Sequence, residues 1–226
     1  MIISFTGFMG CGKSSVGREL SELLCCRFTD LDALIEEQAG CSIPEIFERS
    51  GEKEFRRMEA HTLRCLLEDV KYLGRSLRSP HHCASQDSTP LTCTEHYSSS
   101  PVEESSALIL ALGGGAVMTP ECAEMVHEST FCVYLRTSVD ELVSRLSGEA
   151  SSRPLLASYA DEDSHAETGH VSSCHTGNED FALRSRILEL MSLRAETYER
   201  VAHLVVDTDG KSIVEVARII LDRLGL

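Results

Sequence analysis

Basic residues are scarce in this chain of 226 residues: Lys and Arg number 21 against 36 Asp and Glu, a formal charge of −15. Nucleic-acid backbones are held by clustered cations, and no such cluster occurs, so a nucleic-acid partner is not expected. A small polar substrate held by a few local cations remains open. Long apolar runs are lacking as well. No stretch approaches the roughly 18 apolar residues that a membrane span needs. Met1 is followed directly by the apolar Ile2 to Phe5, without a basic leader segment, which argues against secretion. Cysteine is plentiful, with ten copies, yet no secretory signal accompanies it, and Cys11, Cys65 and Cys132 fall in ordinary helices, strands or loops. These read as reduced thiols of a cytoplasmic protein.

What is present is the composition of a soluble globular protein, 42% apolar and 25% charged. One domain over residues 1–226, with insertions, is the expectation. The pattern alternates strand and helix. Ile2 to Thr6 reads as a strand, followed by a glycine loop and a helix with Val16, Leu20, Leu23 and Leu24 on one face. Arg27 to Asp30 reads as a second strand and Ala33 to Ala39 as a helix stopped by Gly40. Ser42 and Glu45 offer a capping box, and Glu52 to Val70 a longer helix. Further strands are expected at Leu108 to Leu112, Phe131 to Leu135 and His203 to Asp207. Helices are expected to open at Thr119-Pro120, at the Ser138–Glu141 box and at Ser212–Glu215. Short apolar strands between helices imply an α/β fold: a doubly wound, five-stranded parallel sheet with helices on both faces. Gly74 to Ser106 and Ala157 to Glu179 break the pattern and read as polar loops or insertions.

Gly7-Phe8-Met9-Gly10-Cys11-Gly12-Lys13-Ser14 matches GxxxxGKS between a first strand and a helix, the phosphate-binding P-loop. Glycines let successive backbone N–H groups face a phosphate, and the following helix adds its positive end. Lys13 is expected to reach the β- and γ-phosphates and Ser14 to ligate Mg²⁺. Asp30 and Asp32 lie just past the second strand, at the carboxyl edge where such sheets bind ligands. One carboxylate could approach a metal and its neighbour a substrate hydroxyl; Asp32 could equally cap the next helix. Arg56 and Glu59 share a helix face, either as part of a site or as a plain ion pair. Gly113-Gly114-Gly115 ends a strand and permits close approach of a ligand to backbone, though a plain loop explains it as well.

Together GFMGCGKS, FTDLD, SIPEIFERSGEKEFRRME, LGGGAV, RPLL and LRAETYERVA resemble, in order, the shikimate kinase family, compact P-loop kinases of the nucleoside-monophosphate-kinase-like fold. The resemblance implies transfer of the γ-phosphoryl of ATP to the 3-hydroxyl of shikimate, giving ADP and 3-phosphoshikimate for aromatic amino-acid synthesis, with Mg²⁺ as cofactor. It implies catalytic roles for Lys13, Asp32 and the lid residue Arg153. ATP would be held by Gly10, Cys11, Gly12, Lys13, Ser14, Ser15, Arg153 and Asp209, the last in the loop Thr208 to Lys211, with Arg145 the nearest candidate for a basic residue beside adenine. Shikimate would be held by Asp32, Arg56, Gly114, Gly115 and Arg194, with Phe47 and Phe55 walling the pocket and Glu59 supporting it. Mg²⁺ would be held by Ser14 and, through water, Asp30. The substrate region is expected at residues 32–70, the first insertion at 74–106 and the lid with its insertion at 148–180. The chain departs from the family pattern in these insertions, which carry six of its nine histidines and three of its ten cysteines. Their spacings match no standard zinc signature, so no metal clip is expected there. Two other readings compete: a gluconate or nucleotide kinase of the same fold, and a nucleotide-binding regulator without activity. ATP and shikimate as the only partners, and a monomer in the cytoplasm, complete the expectation.

Overall fold

In the computed structural model of the chain, residues 1–76, 107–147 and 176–226 are described. Five strands form one sheet: β1 (Ile2–Thr6), β2 (Arg27–Asp30), β3 (Leu108–Ala111), β4 (Phe131–Arg136) and β5 (Leu204–Asp207). All pair in parallel in the order β2-β3-β1-β4-β5. The order reverses direction at β1, which places the P-loop at the switch point where open α/β sheets bind ligands. Every residue of β1 and β3 is buried, as expected of central parallel strands covered on both faces.

Among the described residues seven α-helices cover the sheet: α1 (Lys13–Leu23), α2 (Leu31–Ala39), α3 (Ile43–Ser76), α4 (Pro120–Ser129), α5 (Val139–Leu146), α6 (Thr176–Val201) and α7 (Ile213–Leu224). The strands' period of two divides the core. Ile2, Leu108, Leu110, Cys132 and Tyr134 pack on one face against Leu31, Leu63, Val126 and Tyr198. Ile3, Phe5, Ile109, Val133 and Val206 pack on the other against Leu20, Leu142, Ile187 and Ile220. The doubly wound α/β expectation holds.

Several local expectations are corrected. α2 starts two residues before Ala33, because the Asp30 carboxylate accepts from the Asp32 N–H at 3.1 Å and is itself the N-cap. The Ser42 helix and the longer one after it meet as α3, kinked at Gly51, whose φ of 76° and ψ of 169° only glycine adopts readily. The capping box at Ser212 forms. At Ser42 the Glu45 carboxylate accepts from both the Ser42 N–H and its hydroxyl. At Ser138 the box is half made: its hydroxyl accepts from the Glu141 N–H, while its own N–H goes to Asp209. Gly74 to Ser76 and Thr176 to Glu179, assigned above to polar loops, are helical ends of α3 and α6. The rest of both insertions, with their histidines and cysteines, lies outside the described residues. No helix among the described residues is long and apolar enough to cross a membrane.

Candidate active site

The loop after β1 turns back on itself through glycines at positive φ, 139° at Gly7, 80° at Gly10 and 97° at Gly12. A Cβ on Gly7 would stand 2.7 Å from the Leu135 carbonyl, so the loop sits directly on β4. α1 begins at Lys13 with no side chain capping it, which leaves its first N–H groups free to point into the loop. The Lys13 Nζ donates to the Gly7 and Phe8 carbonyls at 2.9 and 3.0 Å and is thereby held across the loop. Arg145 reaches the same loop, with Nη1 3.4 Å from the Gly10 carbonyl.

One helical residue on, the Ser14 hydroxyl donates to Asp30 Oδ2 at 2.6 Å. Asp30 therefore serves three elements: it ends β2, caps α2 and anchors α1. Two residues later Asp32 points into a cleft of about 310 Å³, lined also by Lys13, Ser14, Asp30, Gly114 and Arg145. Its Oδ1 is buried without a hydrogen-bond partner among the described residues. Burial raises the Asp32 pKa and the neighbouring Asp30 adds to the rise, with Lys13 and Arg56 opposing it.

The three glycines after β3 are shaped by what crowds them. A Cβ on Gly113 would stand 2.5 Å from Asp32 Oδ1 and 3.0 Å from Glu59 Oε1. On Gly114 it would meet the Met9 backbone nitrogen at 3.2 Å, and on Gly115 the Arg56 guanidinium at 2.4 Å. Two carboxylates, the phosphate loop and a guanidinium thus converge on one bare stretch of backbone. Arg56 Nη1 donates to Glu59 Oε2 at 2.7 Å, and its Nη2 reaches Glu52 at 3.2 Å. Glu59 is fully buried, which raises its pKa against the opposing Arg56. Phe47 and Phe55 pack with tilted rings, centroids 4.9 Å apart, and Arg56 lies 5.3 Å from the Phe55 ring centre.

From α6 comes Arg194, 7% exposed, its guanidinium 6.0 Å from the centre of the Phe8 ring. Its Nη1 is buried without a partner among the described residues. A buried guanidinium costs stability unless something anionic completes it. On the far side of the P-loop a cavity of about 500 Å³ is lined by Gly10, Cys11, Gly12, Ser15, Arg145, Thr208 and Lys211. Asp209 is tied down beside it, accepting from the Ser138 N–H at 3.0 Å.

The two cavities thus share the phosphate-loop residues Gly10, Gly12 and Ser15, at the carboxyl edge of the sheet. The family model for shikimate kinase matches residues 9–73 and 99–225 of this chain. The chain belongs to the shikimate kinase family. The family's curated members include the shikimate kinase of Geobacter sulfurreducens, 35% identical over 95% of this chain and 85% of its own length. That of Thermus thermophilus is 32% identical over 98% of this chain and 89% of its own. Among solved structures, shikimate kinase from Acinetobacter baumannii in complex with shikimate is 28% identical, with a TM-score of 0.67 over 99% of this chain and 92% of that one. The Aquifex aeolicus shikimate kinase, 23% identical with a TM-score of 0.62, shares the fold.

Within this shikimate kinase fold, Asp32, Arg56, Gly114 and Gly115 are brought together beside Lys13, Ser14 and Asp30, with Arg194 at the Phe8 end of the same loop. Gly10, Cys11, Gly12 and Ser15 line the cavity of about 500 Å³ on the other side of the loop. Arg153 lies outside the described residues. Asp209, expected above to hold ATP, accepts from the Ser138 N–H at the start of α5. Sequence reasoning missed two contributors. Gly113 matters through the room it leaves for Asp32 and Glu59. Tyr198, whose hydroxyl donates to the Gly114 carbonyl, was visible only as one letter of LRAETYERVA.

Proposed function

We propose that the chain transfers the γ-phosphoryl group of ATP to the 3-hydroxyl of shikimate, yielding ADP and 3-phosphoshikimate. The observation that carries this reading is the convergence of Asp32, Glu59 and Arg56 on the bare glycines Gly113 to Gly115, beside the phosphate-loop cleft that Asp32 and Gly114 line. Such a cleft suits a small acid bearing hydroxyls.

The P-loop N–H groups and Lys13 would bind the phosphates, with Lys13 exchanging its loop carbonyls for phosphate oxygens. Arg56, steadied by Glu59, and Arg194 would take the shikimate carboxylate between two guanidiniums, which form fork-like charged hydrogen bonds. Asp32 would orient the acceptor hydroxyl and accept its proton; its raised pKa makes it a better base than a solvated aspartate. Mg²⁺ fits the hard oxygen pair of Ser14 Oγ and Asp30 Oδ2, 2.6 Å apart, with Asp30 acting through water. When bound, the ion would offset charge on the phosphate oxygens. Arg153 is proposed to reach the phosphates from the lid, and Asp209 to hold the adenine-side loop through its bond to Ser138. The seven cysteines among the described residues are free thiols, in keeping with the reducing cytoplasm we propose as its setting, where a monomer would suffice.

A coupled assay of ADP release against shikimate, gluconate and nucleoside monophosphates tests the reading. Turnover is expected with shikimate and magnesium alone among these acceptors. Turnover with gluconate or a nucleotide instead would replace the reading, and nucleotide binding without turnover on any acceptor would turn the chain into a regulator.

A further inference from the structure

Tyr198 holds none of the roles above, yet it is fully buried beside the site. It lies on α6 one turn beyond Arg194, hence on the same helix face. Its ring packs on Tyr134 of β4, centroids 5.2 Å apart. Its hydroxyl donates to the carbonyl of Gly114. Burial pushes its pKa far above the tyrosine range, with Arg194 opposing, so the hydroxyl stays a proton donor at any working pH.

Gly114 is held from two sides. α6 grips its carbonyl oxygen, and the P-loop abuts its Cα, where a Cβ would stand 3.2 Å from the Met9 nitrogen and 3.6 Å from the Gly7 oxygen. No cis peptide occurs among the described residues. The Gly115 N–H therefore runs antiparallel to the Gly114 carbonyl and faces away from α6. Gly115 in turn carries the Arg56 guanidinium, so close that a Cβ would come within 2.4 Å of Nη2. Rotation of the Gly114–Gly115 peptide would move the seat of Arg56. Glycine, lacking a Cβ, resists such rotation least of all residues, so the restraint must come from outside the peptide.

We propose that Tyr198 is a positioning residue of the acceptor site: through the Gly114 carbonyl it fixes the glycine peptide on which Arg56 rests, and so the pocket for the substrate carboxylate. The proposal rests on the reading of shikimate as acceptor. Tyr198 touches no reacting atom and sets affinity rather than the phosphoryl-transfer step.

Tyr198→Phe keeps the ring and removes only the hydroxyl. Steady-state kinetics should show KM for shikimate raised about tenfold, the scale of leaving one buried carbonyl unpaired, with kcat and KM for ATP within about twofold. Titration calorimetry with shikimate should show the same weakening. Tyr134→Phe, which trims the partner ring, serves as control and should leave all three constants unchanged. An unchanged KM for shikimate in Tyr198→Phe, an equal rise in KM for ATP, or the same change in Tyr134→Phe would each overturn the proposal. A loss of kcat in proportion to loss of folded protein, read by the thermal transition, would overturn it too and leave Tyr198 a core residue. Absence of shikimate turnover in wild type would remove the activity reading itself, and this inference with it.

Discussion

The phosphate side and the acceptor side of the cleft are built in opposite ways. The phosphate side is eight consecutive residues, Gly7 to Ser14, whose polar groups largely satisfy one another: Lys13 on two loop carbonyls, Cys11 N–H on Phe8, Ser14 on Asp30. The acceptor side is drawn from α2, α3, the turn after β3 and α6, and it keeps buried polar atoms without partners among the described residues on Asp32, Glu59 and Arg194. Uncompensated buried charge costs stability, and it persists where a ligand completes it. On the proposed reading, one half of the site is finished by folding and the other half by substrate.

Lys13→Met tests the finished half and carries the largest expected effect. The fold should survive, because the lysine's hydrogen bonds stay within its own loop, to the Gly7 and Phe8 carbonyls and the Cys11 sulfur, while kcat should fall by at least about 10³-fold as charge aimed at the transferred phosphoryl is lost. Thermal melting and single-substrate saturation check both statements. Near wild-type turnover would remove the assignment of the loop.

Asp32→Asn probes the unfinished half, and it should move activity and stability in opposite directions. kcat should fall by about 10²-fold or more with ATP affinity unchanged, because an amide cannot take the acceptor proton. Stability follows from the sign of the shift. The folded-state pKa of Asp32 is raised above its ordinary value of 3.8. Its contribution therefore favours folding below the unfolded pKa, is lost as pH rises through the folded pKa, and is a cost at neutral pH. Asparagine carries no such cost, so the variant should melt above wild type at pH 7 and lose that advantage at acid pH. A variant that melts lower at pH 7 would mean that Asp32 is satisfied in the free protein, and the contrast between the halves would collapse.

Arg56→Ala and Arg194→Ala should each weaken shikimate binding by about 2–4 kcal/mol with nucleotide affinity nearly unchanged. The two differ in what remains behind. Removing Arg56 strands the buried Glu59, so it should also destabilise the free protein, whereas the Arg194 Nη1 has no partner among the described residues and its loss should destabilise less. Calorimetry with shikimate and thermal melts of both variants provide the comparison. Equal destabilisation would show that Arg194 is satisfied without ligand.

The same contrast explains what could be read from residues in order. The phosphate loop is legible because its chemistry is local: glycines, lysine and serine at fixed spacing perform it wherever a strand meets a helix. The sheet is legible because short apolar strands separated by helical periods leave few arrangements. The acceptor side was reached only through a family resemblance, because Arg56 and Glu59 alone look like any i, i+3 ion pair, and nothing in the spacing says that Gly113 must clear Asp32. Asp32 as a cap was a reasonable alternative that failed by two residues, since the Asp30 carboxylate reaches forward and accepts from the Asp32 N–H in the first turn of α2. Tyr198 was unreadable for a similar reason: the carbonyl that it serves lies 84 residues earlier in the chain.

The smallest effect is expected far from both halves, at the amino end of β5, where stability can be titrated without touching the cleft. His203 Nδ1 accepts from the Cys132 N–H at 3.1 Å, and its ring stacks on His127 with centroids 4.7 Å apart. Accepting at Nδ1 requires that nitrogen to be unprotonated. Burial and the neighbouring His127 lower the His203 pKa below 6.5. For a group whose folded pKa is depressed in this way, the stabilisation is present above the unfolded pKa and is lost as pH falls through the folded one. His203→Phe keeps an aromatic ring against His127 but can neither accept nor titrate. Wild type should melt about 2 °C above it at pH 8, the scale of one hydrogen bond in a chain of this size, and the gap should close as the pH is lowered below 6.5. Turnover at pH 8 should be the same in both proteins, because the catalytic groups sit at the carboxyl ends of the strands and His203 at the opposite edge. A gap that widens on acidification would mean that His203 is charged in the folded protein and accepts nothing from β4. A change in turnover would mean that the two edges of the sheet are coupled, and stability and substrate completion could then no longer be separated in this fold.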